Sequence, residues 1–228
     1  MSITLGIDGC KSGWFALWQN PRDVIQCRVF HHLSDLTNFF KNEGPLTIGI
    51  DMPVILDDSI ARKADQLART LLGKKASSIF TAPTLQMLQQ TTYEATCQLS
   101  KKQFGKSISI QSWHLFPKIR DVQAALHLEQ LNLFEIHPEL SFRAMNNNEV
   151  VLESKKTTEG FLIRKNLLER HFITFDFEAI RHQYLKKDVS NDDVLDALAV
   201  LWSTKRILCK QACFLPEHPL KPNMQIAY

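Results

Sequence analysis

Four aspartates, Asp8, Asp51, Asp193 and Asp196, are the residues of this chain whose setting could do chemistry. The stretch SNDDVLDALAVLWSTKR, residues 190 to 206, puts three aspartates within five positions and then runs almost wholly apolar. Ser190 or Asn191 can N-cap a helix here, and Asp192 and Asp193 then sit where the helix dipole favours negative charge. Asp196 lies past that first turn, among Leu195, Ala197, Leu198, Ala199, Val200, Leu201 and Trp202, so it is expected to be buried. At about 100° per residue, Asp193 and Asp196 project together from one face. Two carboxylates side by side in a core need a cation to neutralise them. A divalent metal would do so, as would an arginine, a lysine or a shared proton.

The other two aspartates end apolar runs. Ile3, Leu5 and Ile7 alternate with Thr4, Gly6 and Asp8, which reads as a strand closing on a carboxylate, and LTIGID, residues 46 to 51, closes on Asp51 before Pro53. Strand ends lie at the rim of a sheet, where sites in α/β folds usually sit. If these two strands are adjacent and point the same way, their aspartates are neighbours, and the helix bearing Asp193 and Asp196 need only pack on that sheet to complete a cluster. Such an all-carboxylate set suits magnesium or manganese better than zinc. A strand-end aspartate is also a common turn former, most plainly at Asp8 before Gly9.

The elements that must position these groups follow from pattern. Strands are expected over residues 3–8, 14–18 and 24–30 as a meander, then a helix in LSDLTNFFKNEG with Ser34 as cap and Gly44 as stop, then the strand over 46–51. Residues 60–75 read as a basic helix and 84–104 as a polar one, which together suggest a helical insertion or lid. LNLFEIHPEL at 131–140 returns to strand character, with Pro138 opening a new helix. Two helical stretches near 157–170 and 176–186 precede the aspartate-rich helix, and PEHPLKPN reads as an extended tail. The expectation is an α/β protein, a single domain over 1–228 with a helical insertion at about 57–128.

Composition supports a large core, with 44% hydrophobic residues in 228. No apolar run reaches the roughly 18 residues of a transmembrane span, and MSITLGIDG lacks the features of a signal peptide, so no membrane partner and a cytoplasmic setting are expected. Five cysteines form an odd count without a CxxC pair, against a disulfide framework or a zinc knuckle. Cys209 and Cys213 are read as packing residues on the last helix. The formal charge of +3 neither demands nor excludes a nucleic-acid partner.

In order along the chain, GIDGCKSGW, IGIDMP, RKADQLARTLLGKKASSIFTAP, FPKIRDV, FEIHPELSFRA, KKTTEGFLIRKNLL and DDVLDALAVLW resemble the domain-of-unknown-function family 429, regarded as predicted nucleases of the RNase H-like fold. DDVLDALA also looks like the D-x-x-D-A motif on the last helix of Holliday-junction resolvases. The resemblance implies an RNase H-like mixed sheet in which Asp8 matches the first-strand metal ligand, Asp51 the acidic residue of the fourth strand, and Asp193 and Asp196 the final-helix pair. Asp51 is shorter than the glutamate many such proteins use. No superfamily role transfers to Glu135, His137 and Glu139, which are placed behind the carboxylates as supports.

The activity implied is metal-dependent phosphodiester hydrolysis with two magnesium or manganese ions, in which the protein mainly supplies placement. Arg62, Arg69, Lys118 and Arg164, with Lys74, Lys75 and Arg120, are the cations expected to grip a substrate, although a basic helix is more often a solvated face. Two other readings stay open. One is a phosphohydrolase or phosphotransferase acting on a nucleotide or another small phosphorylated molecule, and the other is a nucleic-acid-binding module without turnover. No GxxxxGK[ST] loop is present.

Overall fold

The computed structural model describes residues 3–128 and 131–228. β1 (Ile3–Cys10), β2 (Gly13–Gln19) and β3 (Ile25–Phe30) form the expected antiparallel meander. α1 (Leu33–Phe39) carries the chain across to β4 (Leu46–Ile50), which lies parallel to β1 on the side away from β2. α2 (Lys63–Leu72), a 3-10 segment (Gly73–Ser78), α3 (Leu85–Leu88), α4 (Tyr93–Phe104), α5 (Ile110–His114) and α6 (Phe116–Ala125) then intervene before β5 (Leu131–Glu135), parallel to β4. The result is a mixed sheet of order β3-β2-β1-β4-β5. α7 (Pro138–Met145), α8 (Thr158–Glu169), α9 (Phe177–Arg181) and α10 (Asn191–Leu208) follow, and β6 (Phe214–Leu215) pairs with β7 (Ile226–Ala227).

Helices cover both faces of the sheet, so both sets of alternating strand residues are buried. Leu5, Ile7, Trp14, Ala16, Ile48 and Ile50 pack with Leu33, Leu36, Phe116, Ile119 and Val122 of α1 and α6. Phe15 and Leu17 point the other way, into a core built from α7, α8, α9 and α10. The indole N–H of Trp14, buried with the ring, donates to Asp121 at 2.6 Å, and the Leu33 amide donates to the same oxygen at 3.0 Å, tying β2, α1 and α6 together.

One contact sets the depth of the second layer. Gly6 of β1 and Gly49 of β4 are register partners, and α10 lies directly on them. A Cβ on Gly6 would run into the Leu201 amide and the Ala197 carbonyl, both backbone, and one on Gly49 would strike the Thr204 hydroxyl and Val200. Only the missing side chains let α10 approach so closely. The buried run from Val194 to Leu201 is the helix side of the same contact.

Several boundaries differ from the pattern-based reading. His32, not Ser34, caps α1, because the Asp35 carboxylate reaches back to the His32 amide at 3.0 Å, and the helix ends at Phe39, before Gly44. The polar stretch 84–104 is two helices, broken at Gln89 and restarted by the Thr92 cap. Cys213 lies beyond α10, where its backbone pairs with that of Tyr228. The C-terminal segment is not simply extended: Ile226 and Ala227 are buried, pair with β6, and bridge to Ile136 beside β5. Their apolar side chains have a site to fill, which local composition did not reveal.

Gly6→Ala is expected to lower stability by about 2 kcal/mol or more, because α10 would have to lift off the sheet. The urea midpoint measures this, and an unchanged midpoint would refute the close helix–sheet contact.

Candidate functional site

The aspartates continue the geometry of the glycines. Asp8 stands two residues beyond Gly6 and Asp51 two beyond Gly49, so all four project to the face that α10 covers. The Asp51 amide still donates to the Ile7 carbonyl at 3.0 Å, which extends the β1–β4 ladder and sets the two carboxylates side by side. α10 runs back along β1, with Ala197 and Leu201 over Gly6, and so its preceding turn, bearing Asp193 and Asp196, lies over Asp8 and Asp51. The positive end of the α10 dipole meets them there. Asp8 is 8% and Asp196 5% exposed, while Asp51 and Asp193 are half-buried.

Three of the four carboxylates have different immediate partners. Asp8 accepts from the Gly9 amide at 2.8 Å. Asp193 closes a capping box, accepting from the Ser190 amide and hydroxyl at 2.8 Å each. Asp196 accepts from the Lys155 ammonium at 2.5 Å, so the first cation it meets is a lysine. Lys155 was absent from the candidates drawn from the sequence, although it begins the block KKTTEG. Among the described residues, no three His, Cys, Asp or Glu side chains are already gathered as they would be around a metal ion.

The electrostatics are nevertheless those of an under-neutralised acidic site. The Asp8 pKa is pushed well above the ordinary range, first by burial and then by Asp51, Asp196 and Asp193, with Lys155 opposing. Asp51 is likewise raised well above it, by burial, then Asp196, again against Lys155. Asp192, at the edge of the group, is raised by burial, with Asp196 and Asp193 adding to it. Lys155 is shifted upward, chiefly by Asp196 and further by Asp8 and Asp51. Four carboxylates thus share one directly paired ammonium. Their oxygen-only donor set is the chemistry that a magnesium or manganese ion prefers, and in that respect the residues fit such an ion.

Most of the expected gripping cations are brace residues. Arg62 is 4% exposed and caps α2, with bonds to Glu135 at 2.5 and 2.6 Å, to Asp65 at 2.5 Å and to the Ile55 carbonyl at 3.2 Å. Glu135 also takes the Val54 amide, and Asp65 the Ala82 amide, so this buried triad locks the segment after Asp51 to β5 and α2. Arg164 is fully buried, holds Glu139 through both carboxylate oxygens, and donates to the carbonyls of Glu153 and Gly160. It pins the loop that ends in Lys155. Neither guanidinium is open to a substrate. Arg69 is tied to the Ile79 carbonyl and Thr81, Lys75 to the Glu153 carbonyl, and Arg120 to the Leu88 and Gln90 carbonyls.

Lys118 does come near the aspartates. Its stem lies on Gly9, its ammonium donates to the Gly13 carbonyl and sits 4.6 Å from the centre of the Trp14 ring, and Asp8 and Asp193 both act on it. Burial is the larger influence and lowers its pKa. His137 caps α7: Nδ1 accepts the Glu139 amide and Nε2 faces the Ser78 carbonyl, both at 3.3 Å, and burial lowers its pKa. Both of its ring nitrogens are thus engaged by the backbone. A hollow of about 850 Å³ lies beside Ile3 and Lys205 at the opposite end of β1, so size does not mark the site.

A family model described as "Protein of unknown function (DUF429)" matches residues 6–221, and the chain belongs to that family. No curated protein and no solved structure matches it. No helix among the described residues is long and apolar enough to cross a membrane.

The raised pKa values have a stability consequence with a definite sign. In the unfolded chain Asp8 titrates near the ordinary value of about 3.9, whereas the native state holds the proton to higher pH. Above the unfolded value the native state binds more protons, so stability falls as pH rises through the window between the two. In metal-free buffer, Asp8→Asn should therefore raise the urea midpoint at pH 7, and the two proteins should converge below about pH 4. A variant less stable than the parent at pH 7 would contradict the electrostatic account.

Proposed function

We propose that this member of the DUF429 family is a metal-dependent nuclease of RNase H-like fold, with Asp8, Asp51, Asp193 and Asp196 as the carboxylates that hold two magnesium or manganese ions. The observation that carries this reading is the convergence of the four carboxylates at the ends of two parallel strands beneath a helix N-terminus, with one lysine directly paired among them. A three-strand meander followed by two strands parallel to the first supports the fold assignment.

Bound divalent ions would activate a water and stabilise the leaving oxygen of an in-line displacement at phosphorus. The chain's own part is placement. β1 and β4 fix Asp8 and Asp51 through the ladder, and the Gly6–Gly49 contact sets the height of Asp196 above them. Burial and mutual repulsion keep these side chains poorly neutralised, which makes cation uptake favourable. Lys155 holds one oxygen of Asp196 and leaves the other for an ion, while Arg164 holds the loop behind it. The Arg62 triad keeps the segment after Asp51 in place without touching substrate.

The test is to offer purified protein DNA, RNA, branched junctions and free nucleotides with magnesium or manganese. Cleavage of a polymer should need the added ion, and Asp8→Asn and Asp196→Asn should each reduce it about a hundredfold or more, the scale for losing a group that stabilises transition-state charge. Calorimetry on the same proteins should show weaker manganese binding. Turnover of nucleotides alone, or polymer cleavage that survives both substitutions, would overturn the proposal.

A further inference from the structure

A cavity of about 420 Å³ lies beside the carboxylates, lined by Lys155, Lys156, Phe161, Lys186, Ser190 and Asp192 among others. Lys155 belongs to both places, since its ammonium is on Asp196 while its side chain forms part of the cavity wall. Lys156 and Lys186 are exposed, and among the described residues neither ammonium has a carboxylate within 4.0 Å. Both line the one hollow, so their charges add there. Asp192 is the acidic group in the lining.

The walls are built for an anion in a second way. α8 and α10 both begin at this cavity, with Thr157 and Ser190 as their caps. Each cap hydroxyl satisfies one deeper amide, Gly160 and Asp193 respectively, leaving the first-turn amides of Thr158, Glu159, Asn191 and Asp192 without an intrahelical acceptor. Two helix dipoles therefore add positive potential to that of the lysines. Phe161, half-buried and packed edge-on against Phe177 at 5.0 Å, supplies an aromatic wall. The volume is that of a small-ligand site.

We propose that this cavity is the phosphate seat of the substrate: it receives one nucleotide, its phosphate held by Lys156 and Lys186 at the helix ends and its base against Phe161, next to the carboxylates. The site deepens the nuclease reading and rests on it only for the identity of the substrate. The nucleotide's phosphate is the shared chemistry, whether it belongs to a strand or to a free mononucleotide. Lys155 links the two places, because the position it occupies on Asp196 borders the seat.

The experiment compares the full chain with a Lys156→Ala, Lys186→Ala double variant in EDTA, so that no metal-dependent turnover intervenes. The probes are adenosine 5′-monophosphate and a single-stranded octanucleotide, titrated at several salt concentrations. The parent should bind at least one probe, and the variant should bind it about tenfold or more weakly, with the slope of log affinity against log salt reduced by about 0.7 for the octanucleotide, the value for one phosphate contact on a single strand. Both positions are exposed, so the urea midpoint should not move. Tighter binding of the octanucleotide assigns the seat to a strand, and equal binding of both probes assigns it to a nucleotide. No binding by the parent, or identical affinity and salt slope in the variant, overturns the proposal. Binding that depends on the lysines in a protein that cleaves nothing would leave the seat standing and remove the nuclease reading.

Discussion

The contact between α10 and the paired glycines of β1 and β4 is the constraint on which everything else in this protein rests. A helix normally stands off a sheet by the depth of two layers of side chains, but here one layer is missing at Gly6 and Gly49. The helix backbone lies against the β1 backbone at Gly6 and its side chains fill the space above Gly49, and the residues two positions further along, Asp8 and Asp51, come within the field of the α10 aspartates. The strand ladder makes the aspartates neighbours in the plane, and the helix closes the cluster from above.

That arrangement opposes the native state's own stability. Carboxylates are drawn together in a partly desolvated space and answered directly by one lysine, which raises the protonation affinity of Asp8 and Asp51. The surrounding structure over-determines the geometry in return. The buried triad of Arg62, Asp65 and Glu135 fastens the chain that leaves Asp51, and the bidentate pair of Arg164 with Glu139 fastens the loop that delivers Lys155. Buried ion pairs of this kind add little net stability over apolar packing, but they specify one arrangement because leaving either partner alone is so unfavourable. The rigidity of the frame thus holds in place a group of carboxylates that repel one another.

The residues that look most capable of gripping a substrate in the sequence, the arginines of the basic helix and of GFLIRKNLL, are interior braces, whereas Lys156 and Lys186 are exposed and unmatched. Charge type is visible in a sequence, but burial and pairing are not. An arginine with a bidentate carboxylate partner is well suited to the interior, because its planar fork satisfies both oxygens at once. Lysines near two helix starts gain importance only from their common orientation, which no spacing along the chain encodes.

The sequence by itself carried the meander, the strand after α1, the helix opened by Pro138, the Ser190 cap and the identity of the four aspartates, because each depends on local periodicity, turn chemistry or capping. It also carried an unread signal: Gly-Ile-Asp occurs at residues 6–8 and again at 49–51, and in parallel register such a repeat pairs glycine with glycine and aspartate with aspartate. The return of the C-terminus to the sheet, the capping role of His137, the ion pair of Lys155 with Asp196 and the braces at Arg62 and Arg164 were decided only in three dimensions. Apart from the His137 cap, whose amide donor is only two residues on, each joins groups tens of residues apart, and which carboxylate meets which cation is set by how helices settle on the sheet rather than by any local preference of the chain.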